Sequence, residues 1–139
     1  MSELFETAVT GDQFLTAMQD TLIMVGLSLG FGSLLGLPLG IILVACRPGG
    51  IQPQRLVHQL LNPVVNIIRS LPFIILLITI LPLTRLLVNT TIGTAGAIVP
   101  LVIFIAPYIS RLVESALLEV DEGILESANA MGATTLQTI

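Results

Sequence analysis

Two stretches of the chain carry no charged side chain on any face, one from Thr21 to Cys46 and the other from Leu86 to Ser110. As helices rising about 1.5 Å per residue, each is long enough to cross a hydrocarbon core of about 30 Å. A third uncharged stretch, Ser70 to Thr84, is too short to cross by itself. It reaches spanning length when extended backward through Leu56 to Ile68, which brings Arg69 close to a membrane interface. The pattern therefore predicts an all-α integral membrane protein, with three transmembrane helices at about 21–46, 56–84 and 90–112. Residues 1–20 form an external N-terminal segment in this reading, and residues 113–139 a cytoplasmic loop.

Beyond Arg111 the pattern turns amphipathic. Val113, Ala116, Leu117 and Val120 make an apolar stripe at helical spacing, with Glu114 and Glu119 elsewhere on the surface. Asp121 suits a helix cap and Glu122 the positive end of that helix. Ile124, Leu125, Ala128 and Met131 then make a second stripe, turned away from Glu126 and Asn129, before Gly132 supplies a stop. Two short helices joined at an angle are predicted, a shape suited to filling a groove on another protein.

Small residues and prolines refine the spans. Gly26, Gly30, Gly32, Gly36 and Gly40 fall within an arc of about 160° on the first helix, with Ser33 among them, so this face is expected to let another helix approach closely. Gly93, Ala95, Gly96 and Ala97 suit close packing in the third span. Proline recurs at Pro38, Pro63, Pro72, Pro82, Pro100 and Pro107, each removing a helical hydrogen bond. Bent or broken helices are tolerated where protein or a water-filled path surrounds the freed groups, which favours a transport pathway over a passive anchor.

Composition and charge agree with a membrane protein and orient it. Mean hydropathy is +1.00 and 10% of residues are charged, against roughly 25% in soluble domains. The nine acids behind the net charge of −4 sit at the two ends of the chain, so the balance gives no indication of a nucleic-acid partner. Glu3, Glu6, Asp12 and Asp20 precede the first span without any arginine. Such a segment reads as external, and the span as a retained helix rather than a cleaved leader. The loop after it holds Arg47, Arg55 and His58 around the Pro48-Gly49-Gly50 turn signal and belongs inside. Arg111 also falls inside and Arg85 outside. His58 and Arg69 read as interfacial side chains, with a proton relay at His58 and a functional ion at Arg69 as the alternatives. Cys46 stands alone and supplies neither an internal disulfide nor a metal spacing. The chain has no lysine, which excludes a Gly-x-x-x-x-Gly-Lys phosphate loop; no cofactor is expected on this chain.

The segment Glu126-Ser127-Ala128, three residues, then Gly132 resembles the cytoplasmic loop signature of ABC importer permeases, which continues nine residues later with Ile-x-Leu-Pro. Ser127 stands where the family usually has alanine, and the second half of the signature would begin at position 142. Asn66 to Leu77, Thr91-Ile92-Gly93, Ala97 to Leu101, Gly36 to Gly40, Arg47-Pro48-Gly49 and Glu126 to Ala133 are similar to the methionine importer permeases within that group. The resemblance covers roughly residues 20 to 139. It implies a five-helix permease of the type I importer fold, of which this chain holds three helices and the first half of the loop. It further implies a homodimer in a bacterial inner membrane, an ATP-binding subunit that hydrolyses the ATP, and an extracytoplasmic substrate-binding protein. Glu126, Ser127, Ala128, Met131 and Gly132 would grip the ATPase and couple its closure to alternating access.

Rival readings differ in what they require. A secondary transporter would need an ionisable site within a span, yet none of the three contains a carboxylate. A small structural membrane protein would leave the loop signature unused. A permease for another amino acid or a small organic solute is the closer rival, because importers of this kind take much of their selectivity from a separate binding protein.

Overall fold

The computed structural model describes residues 10–138, and every regular element among them is helical. The order is α1 (Gly11–Ala45), α2 (Arg55–Ser70), α3 (Phe73–Val88), α4 (Gly93–Leu118), α5 (Glu122–Ala130) and α6 (Thr135–Thr138). Glu3 and Glu6 of the expected external segment lie outside the described residues. Asp12 and Asp20 are already helical, because α1 begins at Gly11, well ahead of the expected start at Thr21. Thr10 precedes it, and its backbone N–H donates to Gln13 Oε1 at 3.2 Å, a local bond that fixes the first turn.

The core is the seam between α1 and α4, and glycine creates it. A Cβ added to Gly32 would stand 2.8 Å from Ile105 Cγ2, one on Gly36 2.7 Å from the Ala106 carbonyl oxygen, and one on Gly40 2.6 Å from that of Ser110. Any side chain at these three positions would hold the backbones apart. Three of the five glycines thus make the close approach, and Gly26 and Gly30 do not, having nothing within 4 Å. Helical angle explains the division: Gly32, Gly36 and Gly40 form one i, i+4 row, whereas Gly26 and Gly30 lie about 80° and about 120° around the axis from Gly36. Ser28, four residues before Gly32, and Leu43, three residues after Gly40, are both buried and continue the row at its two ends.

The register of this seam sets the topology. Ile105, Ile109 and Val113 of α4 rise in step with Gly32, Gly36 and Gly40 of α1, so the two helices run parallel. Their C-terminal ends lie at the same end of the molecule, and the chain between them must return to the opposite end. Both helices are long and apolar enough to cross a membrane, and the α2–α3 pair makes a third crossing when taken as one broken span. Neither arm suffices by itself, since 16 residues of helix cover about 24 Å.

The break between α2 and α3 bends the path by 115°. Pro72 disfavours helical geometry at the preceding residue, and Leu71 is extended, with φ −78° and ψ 133°. The other prolines of the spans behave differently. Pro38, Pro63, Pro82, Pro100 and Pro107 all remain inside continuous helices, so only Pro72 separates two elements. Nor does a new helix start after Arg111. Helix α4 continues through Val113, Ala116 and Leu117 to Leu118, because the first amphipathic stripe is in phase with the span above it.

Candidate functional site

Helix α4 stops at Glu119 and Val120, and Asp121 starts α5 by accepting a hydrogen bond from the Gly123 backbone N–H at 2.7 Å. Such a cap contributes about 1 kcal/mol, a large share of what holds so short a helix. Ser127 spends its hydroxyl locally, donating to the Gly123 carbonyl at 2.6 Å. The end of α5 is equally well specified. Gly132 is left-handed, with φ +79°. Its N–H donates to the Asn129 carbonyl and that of Ala133 to the Ala128 carbonyl, each at 3.0 Å. These two bonds form a Schellman stop, in which glycine avoids the roughly 1–2 kcal/mol that a Cβ costs in this conformation.

The residues expected to grip a partner are thereby gathered on one exposed, capped helix. The second apolar stripe divides in two. Leu125 and Ala128 are half-buried toward the rest of the chain, while Ile124 and Met131 are 62% and 83% exposed. A cleft of about 460 Å³ separates α5 from the α1–α2 loop, with Arg47, Gly49 and Gly50 on one wall and Glu122, Glu126 and Asn129 on the other. The loop turns tightly: Gly49 has φ +86°, and a Cβ on Gly50 would stand 2.6 Å from the carbonyl oxygens of Val44 and Ala45. The Arg47 loop and the α5 segment therefore share one end of the molecule, as the parallel α1 and α4 require.

A second constellation joins α2 to α4. Arg111 pairs with Glu114 and donates to the side-chain oxygens of Asn62 and, at 2.8 Å, Asn66. One turn earlier, the Tyr108 ring lies 5.1 Å beneath the Arg69 guanidinium carbon, and its hydroxyl is 3.5 Å from the Arg69 carbonyl. His58 Nδ1 lies 3.3 Å from the Leu43 carbonyl oxygen, within hydrogen-bond reach. His58 and Arg69 are half-buried and each has a protein neighbour, the Leu43 carbonyl for one and the Tyr108 ring for the other. Leu56, Leu60, Val64 and Ile67 occupy the other face of α2 and are exposed. Val65 is buried at the centre of the inward face, with His58, Asn62 and Arg69 half-buried on its flank, so the most exposed face of α2 is apolar, as lipid favours and water does not. Reading the chain alone missed Asn62, Asn66 and Glu114, although Arg55, His58, Asn62, Asn66 and Arg69 recur at helical spacing and could have revealed the stripe.

Comparison with known proteins decides the class. Residues 36–139 match the model of the binding-protein-dependent transport system inner membrane component family. The chain belongs to this family. The D-methionine transport system permease protein MetI of Yersinia pestis is 51% identical over 120 residues, which make up 86% of this chain and 55% of that protein. MetI of Escherichia coli K12 is 47% identical over the same shares. This transport-system component also superposes on a chain of the MetNI methionine ABC transporter in an inward-facing conformation, with a TM-score of 0.84 and 46% identity, covering 88% of this chain and 57% of that one. It spans about half the length of the curated relatives it matches.

Within the family, the all-helical, multi-pass architecture is that of an inner membrane transport component. The resemblance read from Glu126, Ala128 and Gly132 therefore led to the right family.

Proposed function

We propose that this chain forms part of the permease subunit of an ATP-driven methionine importer, with α1, the broken α2–α3 span and α4 lining its translocation path. The observation that carries the reading is the placement of α5. A capped helix bearing Glu126, Ala128 and the Gly132 stop follows the third span directly and lies beside the arginine-bearing loop at one end of the molecule. Arg47, Arg55 and Arg111 favour the cytoplasm for that end, which puts the start of α1 outside. Exposed Ile124 and Met131, with Glu126, Ser127 and Ala128 beside them, would then enter a groove on an ATP-binding subunit.

The partners follow from this reading: an ATP-binding subunit, a second permease copy, an extracytoplasmic substrate-binding protein and the lipid around the spans. ATP would be bound and hydrolysed by the partner, leaving this chain without a cofactor and without a catalytic role. Methionine is supported by the names of the relatives at about half identity. In a permease carrying this segment, Glu126→Lys and Gly132→Trp together are expected to reduce methionine uptake by at least about tenfold. Membrane insertion should be unchanged. Undiminished uptake by the double variant would contradict the coupling role of α5.

A further inference from the structure

We propose that Arg111 is a positioning residue that carries movement of α5 to the break at Leu71–Pro72, an inference that rests on the permease reading above. Arg111 lies one turn beyond Tyr108 on α4, so both side chains address the same stretch of α2. Arg111 holds Asn62 and Asn66, while Tyr108 lies under Arg69 and reaches its carbonyl. Arg69 is only a short step before Leu71 in the chain. In the other direction, α4 runs on for about two turns to Leu118, and α5 starts at Glu122. The guanidinium thus sits between the proposed coupling helix and the break at Leu71–Pro72.

The chemistry suits a rigid tie. The Arg111 and Glu114 side chains are only 19% and 12% exposed, and a guanidinium presents its donors in a fixed planar fork. One side chain therefore holds two asparagines on successive turns of α2 and a carboxylate on its own helix. Apolar packing can replace a half-buried ionic group of this kind with little loss of stability, and what the guanidinium adds through Asn62 and Asn66 is a defined register between α4 and α2. A register of this kind lets a tilt of lower α4 drag α2 with it. An apolar contact would let α2 slide.

The test uses a permease carrying this segment, purified with its ATP-binding subunit, reconstituted in liposomes and supplied with a methionine-binding protein. Methionine uptake and ATP hydrolysis are measured in the same vesicles. Arg111→Gln and the pair Asn62→Ala with Asn66→Ala are each expected to raise the ATP hydrolysed per methionine moved by about tenfold. Combining them should add little, because both remove one tie. Arg111→Lys keeps the charge and the Glu114 pair but loses the planar fork. It should give an intermediate ratio, and it carries the test if the glutamine variant does not assemble. An unchanged ratio in these variants, with uptake and hydrolysis falling together, would overturn the proposal. Absence of uptake by the unsubstituted transporter would instead overturn the permease reading, and is seen before any variant is measured.

Discussion

Gly36 shows how much of this fold depends on the absence of a single carbon. Its missing side chain leaves room for the Ala106 carbonyl and for Ile109, whose Cβ would be 2.8 Å from an added Cβ. Both neighbours belong to helix α4, one of them through its backbone, so neither can step aside cheaply. Gly36→Val is expected to destabilise the α1–α4 pair by about 1–3 kcal/mol through overpacking, whereas Gly26→Ala should stay within about 0.5 kcal/mol. Thermal unfolding of the two variants in detergent checks this, and equal melting temperatures would contradict it. At this scale the sequence was partly legible. The arc of glycines located the face, but an arc approaching half the helix circumference is wider than one helix contact. Only the row at i, i+4 spacing meets α4, and nothing in the residues of α1 alone says where along that arc the partner lies.

Pro72 governs the next scale. It restricts Leu71 to extended geometry and so separates two helices whose composition would otherwise run on. Pro72→Ala removes that restriction and is expected to straighten the broken span. A spin-label pair at Leu60 and Ile78, both exposed, should then move apart relative to the same pair with Pro72 present. An unchanged distance would show that packing against α4, not proline, sets the bend. Six prolines were visible in the chain as possible breaks, yet five are absorbed within continuous helices. A proline inside a span frees only one or two backbone groups, and tertiary packing can hold the helix together around them. The spacing of Arg55, His58, Asn62, Asn66 and Arg69 was also on view. It was harder to interpret because the ordinary rule puts polar faces toward solvent, while His58, Asn62, Asn66 and Arg69 find partners on α1 and α4 and, among the described residues, only Arg55 of this stripe is left without one.

For the whole molecule, the parallel course of α1 and α4 is the feature with the widest consequences. It requires the α2–α3 pair to carry the chain back across, and it brings the Arg47 loop and α5 to one end. Single cysteines at Thr10 and at Pro48 or Glu119, in a background lacking Cys46, should therefore be labelled from opposite sides of the membrane. Pro48 and Glu119 should react from the cytoplasm and Thr10 from outside. Labelling of Pro48 and Glu119 from different sides would contradict the topology. Helix α5 was legible because it is defined by local chemistry, an acidic cap, a short apolar stripe and a left-handed glycine in order along the chain, and the class followed from the resemblance that Glu126, Ala128 and Gly132 carry.

The proposed place of this segment is within an ATP-driven methionine importer. Uptake of radiolabelled methionine into liposomes bearing a permease that contains it, with the ATP-binding subunit, tests that claim most directly. The account predicts accumulation that requires ATP and a methionine-binding protein. Accumulation that is indifferent to ATP, or that favours an unrelated solute over methionine, would contradict it.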